Sequence, residues 1–119
     1  MKTIVDSSVW IDYFRGGAEE LDVLLSQKNV LTHSAVIGEL SCGNIPKRNE
    51  FLGNIKTMPK VKEASVDEIL NLIEDKKLYG KGLSITDVQI LASALLSDAG
   101  VLTRDRAMLS AIKSLGLNS

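Results

Sequence analysis

The amino-acid sequence predicts an α/β domain in which a parallel sheet of short strands is covered by helices on both faces. Three observations carry this prediction. Short β-forming runs at 2–5, 30–32 and 101–103 alternate with segments whose apolar residues recur at helical spacing. Strands joined through helices lie parallel and are buried on both faces, with right-handed crossovers by steric preference. The 119 residues are 45% hydrophobic and contain no repeat, linker or low-complexity stretch, which suits one core in a single domain over 1–119.

The elements follow in order. Lys2 to Val5 is a strand that stops at Asp6. Ser7 or Ser8 can cap the next helix, whose apolar stripe is Val9, Trp10, Tyr13 and Phe14, and Gly16-Gly17 ends it. Residues 18–27 form a second helix with Leu21, Leu24 and Leu25 on one side. Asn29 turns the chain into the strand Val30-Leu31-Thr32. Ser34 caps a helix holding Val36, Ile37, Glu39 and Leu40, and Gly43 closes it. Pro46 suits the first turn of a helix reaching about Asn54. A further weak strand is expected around Met58–Val61, at an edge because Pro59 offers no ladder donor. Glu63 to Tyr79 is mostly helical, with Val66, Ile69, Leu70 and Ile73 in phase, and Gly80-Lys81-Gly82 breaks it. Ser84 or Thr86 caps a helix carrying Ile90, Leu91, Ala94 and Leu95, which Gly100 ends. Val101 to Thr103 is a strand, and a last helix runs from about Arg106 to Leu115.

Bulk properties exclude several classes. With one cysteine, Cys42, the chain forms no internal disulfide, and Cys42 with the single His33 supplies too few ligands for a zinc site. The N-terminal KTIVDSSVWIDYF resembles a weak signal peptide, but Asp6 and Asp12 interrupt it and no small-residue cleavage site follows. No window approaches the ~18 uninterrupted apolar residues of a membrane span, so a cytoplasmic location is expected. Fourteen basic against fifteen acidic residues give a formal charge of −1, so net charge offers no support for nucleic-acid binding. The basic residues are nevertheless uneven, with Lys47, Arg48, Lys56, Lys60 and Lys62 in the middle of the chain.

The chemistry points to carboxylates. Asp6 directly follows the first strand, Asp105 follows the last strand closely, and Asp87 lies in the first turn of its helix. Ligands of open α/β sheets gather beyond the carboxyl ends of strands. If the 2–5 and 101–103 strands are neighbours, Asp6 and Asp105 face one another there, and Asp87 can enter from a helix N-terminus. Glu39, flanked by apolar neighbours, is either an exposed acid beside the stripe or a fourth member. Clustered carboxylates repel each other and need positive charge between them. An all-oxygen set favours Mg²⁺ or Mn²⁺, and a pair of such ions ~4 Å apart is suited to in-line phosphodiester hydrolysis. Ser7 and Thr103 adjoin the outer acids, either as cap and strand-end residue or as hydroxyls that orient carboxylates. Arg104 and Arg106 are either phosphate contacts or solvated surface. Asp98, ~16 Å along the helix from Asp87, is too far away to share a metal. Asp12 is expected to be exposed, His33 to have no catalytic part, and Trp10, Tyr13 and Phe14 to pack in the core or at an interface.

Taken together, VDSSVWIDYFRG at the start, VIGEL around Glu39, SITDVQILASAL around Asp87 and VLTRD near the end resemble a PIN domain. The nearest likeness is to the VapC-type toxins of toxin–antitoxin pairs, and it covers residues 2 to about 112. The resemblance implies a three-layer α/β/α fold with a central parallel sheet of four or five short strands; the short C-terminus departs from the family, its fifth strand either absent or a remnant at Leu115–Leu117. It places the family's metal-site acids at Asp6, Glu39, Asp87 and Asp105, with Ser7 and Thr103 as hydroxyl neighbours. It further implies a Mg²⁺- or Mn²⁺-dependent endoribonuclease, a homodimer, and a VapB-like antitoxin that would make the DNA contacts. Two other classes are weighed. One is a catalytically silent PIN fold used as a binding module, in which the acid set would be eroded. The other is a phosphotransfer or receiver domain, and neither a D-x-D-x-T pattern nor paired early acids are present. No P-loop or Rossmann glycine run occurs.

Overall fold

A computed structural model describes all residues, 1–119. The chain runs β1 (Thr3–Val5), α1 (Ser7–Phe14), α2 (Glu19–Ser26), β2 (Val30–Leu31), α3 (Ser34–Cys42), α4 (Arg48–Ile55), α5 (Val66–Asp75), α6 (Ile85–Ser97), β3 (Gly100–Leu102) and α7 (Arg106–Leu115). It is an α/β/α arrangement around a parallel sheet of order β2-β1-β3. In register, Thr3 pairs with Val30 and Gly100, and Ile4 with Leu31 and Val101. The first and last strands are therefore neighbours, and the chain leaves both at the same end of the sheet.

The sheet has three strands, which corrects the expectation of four or five. Next to β2, Thr32 makes one isolated parallel bridge to Lys60, with Thr32 N–H donating to Pro59 O at 2.8 Å and Val61 N–H donating to Thr32 O at 2.9 Å. Pro59 has no N–H with which to extend that ladder. At the other edge, the helix cap takes up Leu115–Leu117. Gly116 adopts a left-handed conformation (φ 72°), and Leu117 N–H returns to Ile112 O at 3.0 Å, which closes α7 rather than opening a strand. One bond remains on β3's outer side, from Val101 N–H to Asn118 O at 2.9 Å.

Twenty buried apolar residues form the main core, among them Ile4 and Val5 of β1, Val9 and Trp10 of α1, Ile90 and Leu91 of α6, and Met108 and Ile112 of α7. Trp10 meets Tyr13 and Phe51 edge-on, and Phe14 meets Phe51 with ring centroids 4.7 Å apart. A smaller cluster, Ile69, Leu78, Val88 and Ala92, seats α5 on α6. Both helices open on reciprocal capping boxes, Ser65 with Glu68 and Ser84 with Asp87. Two other caps differ from expectation. Asp6, whose side chain accepts no bond from a helix backbone N–H, precedes α1 where Ser7 or Ser8 was expected as the cap, and His33 rather than Ser34 caps α3. No helix is long and apolar enough to cross a membrane.

Candidate active site

Asp6 is the innermost acid, 5% exposed, at the carboxyl end of the central strand. Its Oδ2 accepts hydrogen bonds from two hydroxyls, Ser8 Oγ at 2.8 Å and Thr103 Oγ1 at 2.8 Å. Both hydroxyls are held in turn by the segment after β3. Arg104 N–H donates to Ser8 Oγ at 3.0 Å, and Asp105 N–H donates to Thr103 Oγ1 at 3.1 Å. The parallel β1–β3 pairing brings these residues together, because it places Val5 beside Leu102 and so Asp6 beside Thr103.

The remaining acids are held in similar ways. Asp105 is the N-cap of α7, its Oδ1 accepting from Met108 N–H at 3.0 Å. Asp87 sits in the first turn of α6, its Oδ2 accepting from Ser84 N–H at 2.9 Å. Glu39, on α3, accepts through Oε1 from Ser7 Oγ at 3.1 Å. Although water reaches this side chain, the surrounding protein partly desolvates it and pushes its carboxyl above the usual glutamate value. The Ser7 hydroxyl opposes that shift, and the charges of Asp6 and Asp87 add to it. Glu39 is thus near enough to feel the charges of both Asp6 and Asp87, and Asp105 is joined to Asp6 through Thr103.

In each acid one oxygen is committed to the protein: Asp6 Oδ2, Glu39 Oε1, Asp87 Oδ2 and Asp105 Oδ1. The other oxygen of each carries no protein hydrogen bond. Asp6 is buried, yet its Oδ1 is not among any sealed, unpartnered atoms, so that oxygen meets solvent. As a donor set this is all-oxygen and free of nitrogen and sulfur, the chemistry that suits a hard divalent cation retaining several waters. The carboxylates are not drawn into a ready-made cage: no three His, Cys, Asp or Glu side chains stand close enough together to hold a metal ion. Hollows of about 290 Å³ beside Ile11 and Phe14 and about 610 Å³ beside Lys2 and Lys28 take in none of the four acids.

Ser8 was expected from the sequence only as a possible helix cap, yet it bonds directly to Asp6, while Ser7 turns to Glu39. A hydroxyl two residues after Asp at a strand-to-helix turn was a usable signal, because such pairs close locally. Arg104, a candidate phosphate contact, is instead engaged by two acids. Its Nε donates to Asp12 Oδ2 at 3.0 Å and its Nη atoms to the two oxygens of Glu20 at 2.7 and 3.1 Å. The Arg104 hydrogen bonds hold the Glu20 carboxyl down at about 2 and raise the guanidinium above its ordinary value. Arg106 is exposed. Asp98 ends α6 in a left-handed turn (φ 49°), at the opposite end of that helix from Asp87.

Comparison with known proteins identifies the family of the chain. The family described as "PIN domain" matches residues 3–113. The chain is 33% identical over 115 residues to Ribonuclease VapC32 of Mycobacterium tuberculosis, in strains CDC 1551 / Oshkosh and ATCC 25618 / H37Rv, covering 96% of this chain and 93% of the relative. Among solved structures, PAE2754 from Pyrobaculum aerophilum superposes with a TM-score of 0.61 at 18% identity, over 92% of this chain and 78% of that one, a likeness of fold.

Proposed function

Because the chain belongs to the PIN-domain family and, within it, to the VapC toxins, ribonucleases at the family level, we propose that it hydrolyses RNA phosphodiester bonds with a divalent cation held by Asp6, Glu39, Asp87 and Asp105. The observation that carries this reading is the division within each carboxylate, one oxygen tied to the protein and the other unpartnered. Mg²⁺ or Mn²⁺ would suit such all-oxygen donors, with Asp6, Glu39, Asp87 and Asp105 as the residues that would hold it. Such a cation supplies a water of lowered pKa and offsets charge developing on the phosphate.

The chain's own groups do the positioning. Thr103 and Ser8 fix Asp6 from two sides, Ser7 orients Glu39, and the helix N-termini of α6 and α7 hold Asp87 and Asp105. The hydroxyls of Ser7, Ser8 and Thr103 are bonded to carboxylates and so act here as groups that orient those acids. The VapC likeness adds three expectations to the proposal: a homodimer in the cytoplasm, a VapB-like antitoxin that silences the site, and DNA contact made through that antitoxin.

The test is cleavage of total RNA by wild type and Asp6→Asn with Mg²⁺, Mn²⁺ or EDTA, with mapping of product 5′ ends. Discrete cuts by wild type with metal, lost in Asp6→Asn and in EDTA, are expected. No cutting by folded, antitoxin-free protein over that metal range would replace the proposal with the silent binding module.

A further inference from the structure

Asp6 and Asp105 are set by adjacent hydrogen-bonded strands, but Glu39 and Asp87 ride on separate helices, α3 and α6, with no sheet between them. One side-chain hydrogen bond joins those helices: His33, the N-cap of α3, meets Ser93 in the middle of α6, with Nε2 and Oγ 3.1 Å apart. Both residues are buried, His33 to 3% and Ser93 to 0% exposure.

Every proton in this contact is assigned by its partners. Ala35 N–H donates to His33 Nδ1 at 2.9 Å, so the ring is neutral with its proton on Nε2, which donates to Ser93 Oγ. Ser93 Oγ spends its own hydrogen on Gln89 O at 2.7 Å and also accepts from Ala64 N–H at 3.1 Å. The contact is saturated and has one arrangement. Glu63, bonded to Ser34, stands 4.0 Å from Nδ1, and the charges of Glu63 and Lys60 both reach the ring from the 60–64 segment.

The register then ties this contact to the acids. From His33 the chain advances six residues along α3 to Glu39, and from Ser93 it steps back six along α6 to Asp87, about 9 Å in each helix. Helices running side by side in the same sense would leave Glu39 about 18 Å beyond Asp87. α3 and α6 instead pack directly on one another, and the charge of Asp87 adds to the raised Glu39 carboxyl, so the two acids lie nearer than that.

We propose that the His33–Ser93 hydrogen bond is a positioning contact that sets the separation of Glu39 from Asp87, and with it the affinity of the site for a divalent cation. The inference rests on the metal-site reading above, and it concerns residues that touch neither cation nor substrate.

Two substitutions separate positioning from mere support. Asparagine retains a short acceptor for the α3 cap but does not reach Ser93, so His33→Asn keeps the cap and breaks the bridge. Glutamine places an amide N–H where Nε2 stands, so His33→Gln keeps the bridge and loses the cap. Ser93→Ala breaks the bridge from the other side. Mn²⁺ affinity is measured by calorimetric titration of EDTA-stripped full-length protein without RNA, alongside the Tm of each variant. His33→Asn and Ser93→Ala are expected to bind Mn²⁺ about tenfold more weakly, the size typical of residues that orient ligands. The double variant should be no weaker than either single one, and His33→Gln should stay within about twofold of wild type whatever its Tm. Unchanged affinity in His33→Asn, or losses that follow Tm across all variants, would overturn the positioning role while leaving the metal site standing. A wild-type protein that binds no Mn²⁺ would overturn the metal-site reading, and this inference with it.

Discussion

Thr103→Val isolates one hydroxyl of the Asp6 support. The side chain is 3% exposed, and valine keeps its shape while deleting the bond to Asp6 Oδ2 at 2.8 Å and the acceptor for Asp105 N–H at 3.1 Å. A hydrogen bond to a charged group contributes about 1.5–3 kcal/mol net and a neutral one about 0.5–1.5 kcal/mol. Ser8 still donates to the same carboxylate oxygen, which keeps Asp6 from being stripped bare and places the expected loss near the lower end, about 2–3 kcal/mol. For a domain of this size each kcal/mol moves Tm by roughly 4 °C, so a fall of about 8–12 °C is expected. The assay is equilibrium urea unfolding with an unchanged m value, run beside Thr103→Ser, which keeps the hydroxyl and costs about 1 kcal/mol for the lost methyl. Adding Ser8→Ala to Thr103→Val should cost more than the two singles summed, because the pair shares one oxygen. If Thr103→Val is no less stable than Thr103→Ser, the hydroxyl does not hold Asp6 and the account of the site's construction fails.

Two further predictions concern charge. Glu20 is held at about 2, below its ordinary 4.5, so the stability from its pairing with Arg104 is present above pH 4.5 and fades as pH falls toward 2. Arg104→Ala should therefore flatten acid destabilisation over that window while costing only about 0–1 kcal/mol at neutral pH, as befits an exposed pair; an acid limb unchanged from wild type would refute the pairing. Glu39 shifts the other way: its carboxyl is raised by burial and by Asp6 and Asp87, so the folded state loses stability as pH climbs from 4.5 through its folded value. Metal-free Glu39→Gln should accordingly melt higher than wild type at pH 7, and a lower Tm would show that the acids do not crowd one another.

What the sequence makes legible follows from how local each cause is. Helical periodicity and short apolar runs show the α/β class, and Asp6 at a strand end is visible because the strand is only Thr3–Val5. The strand count was overstated because a β-prone stretch says nothing about available donors: Pro59 has none, and Leu117 is claimed by the α7 cap. Capping residues were misplaced where a neighbour had better bonds to make, Ser7 with Glu39 and Ser34 with Glu63. The clamp of Arg104 on Asp12 and Glu20 spans more than eighty residues of chain, and no single-sequence pattern reaches that far. The same holds for His33, an unremarkable side chain until folding puts Ser93 beside it.

The tethering of one oxygen in each acid has a thermodynamic consequence. A free glutamate or aspartate samples several rotamers, and immobilising a flexible side chain costs roughly 0.5–1.5 kcal/mol of entropy on binding. Here Ser7, Ser84, Thr103 and the Met108 amide have frozen those torsions during folding. If the proposed metal site holds, a cation arriving at this face would meet side chains whose disorder is already spent, and its association would draw on electrostatic attraction with little conformational penalty. Lengthening Asp87 or Asp105 to glutamate would conserve charge and oxygen count yet return that disorder to the site.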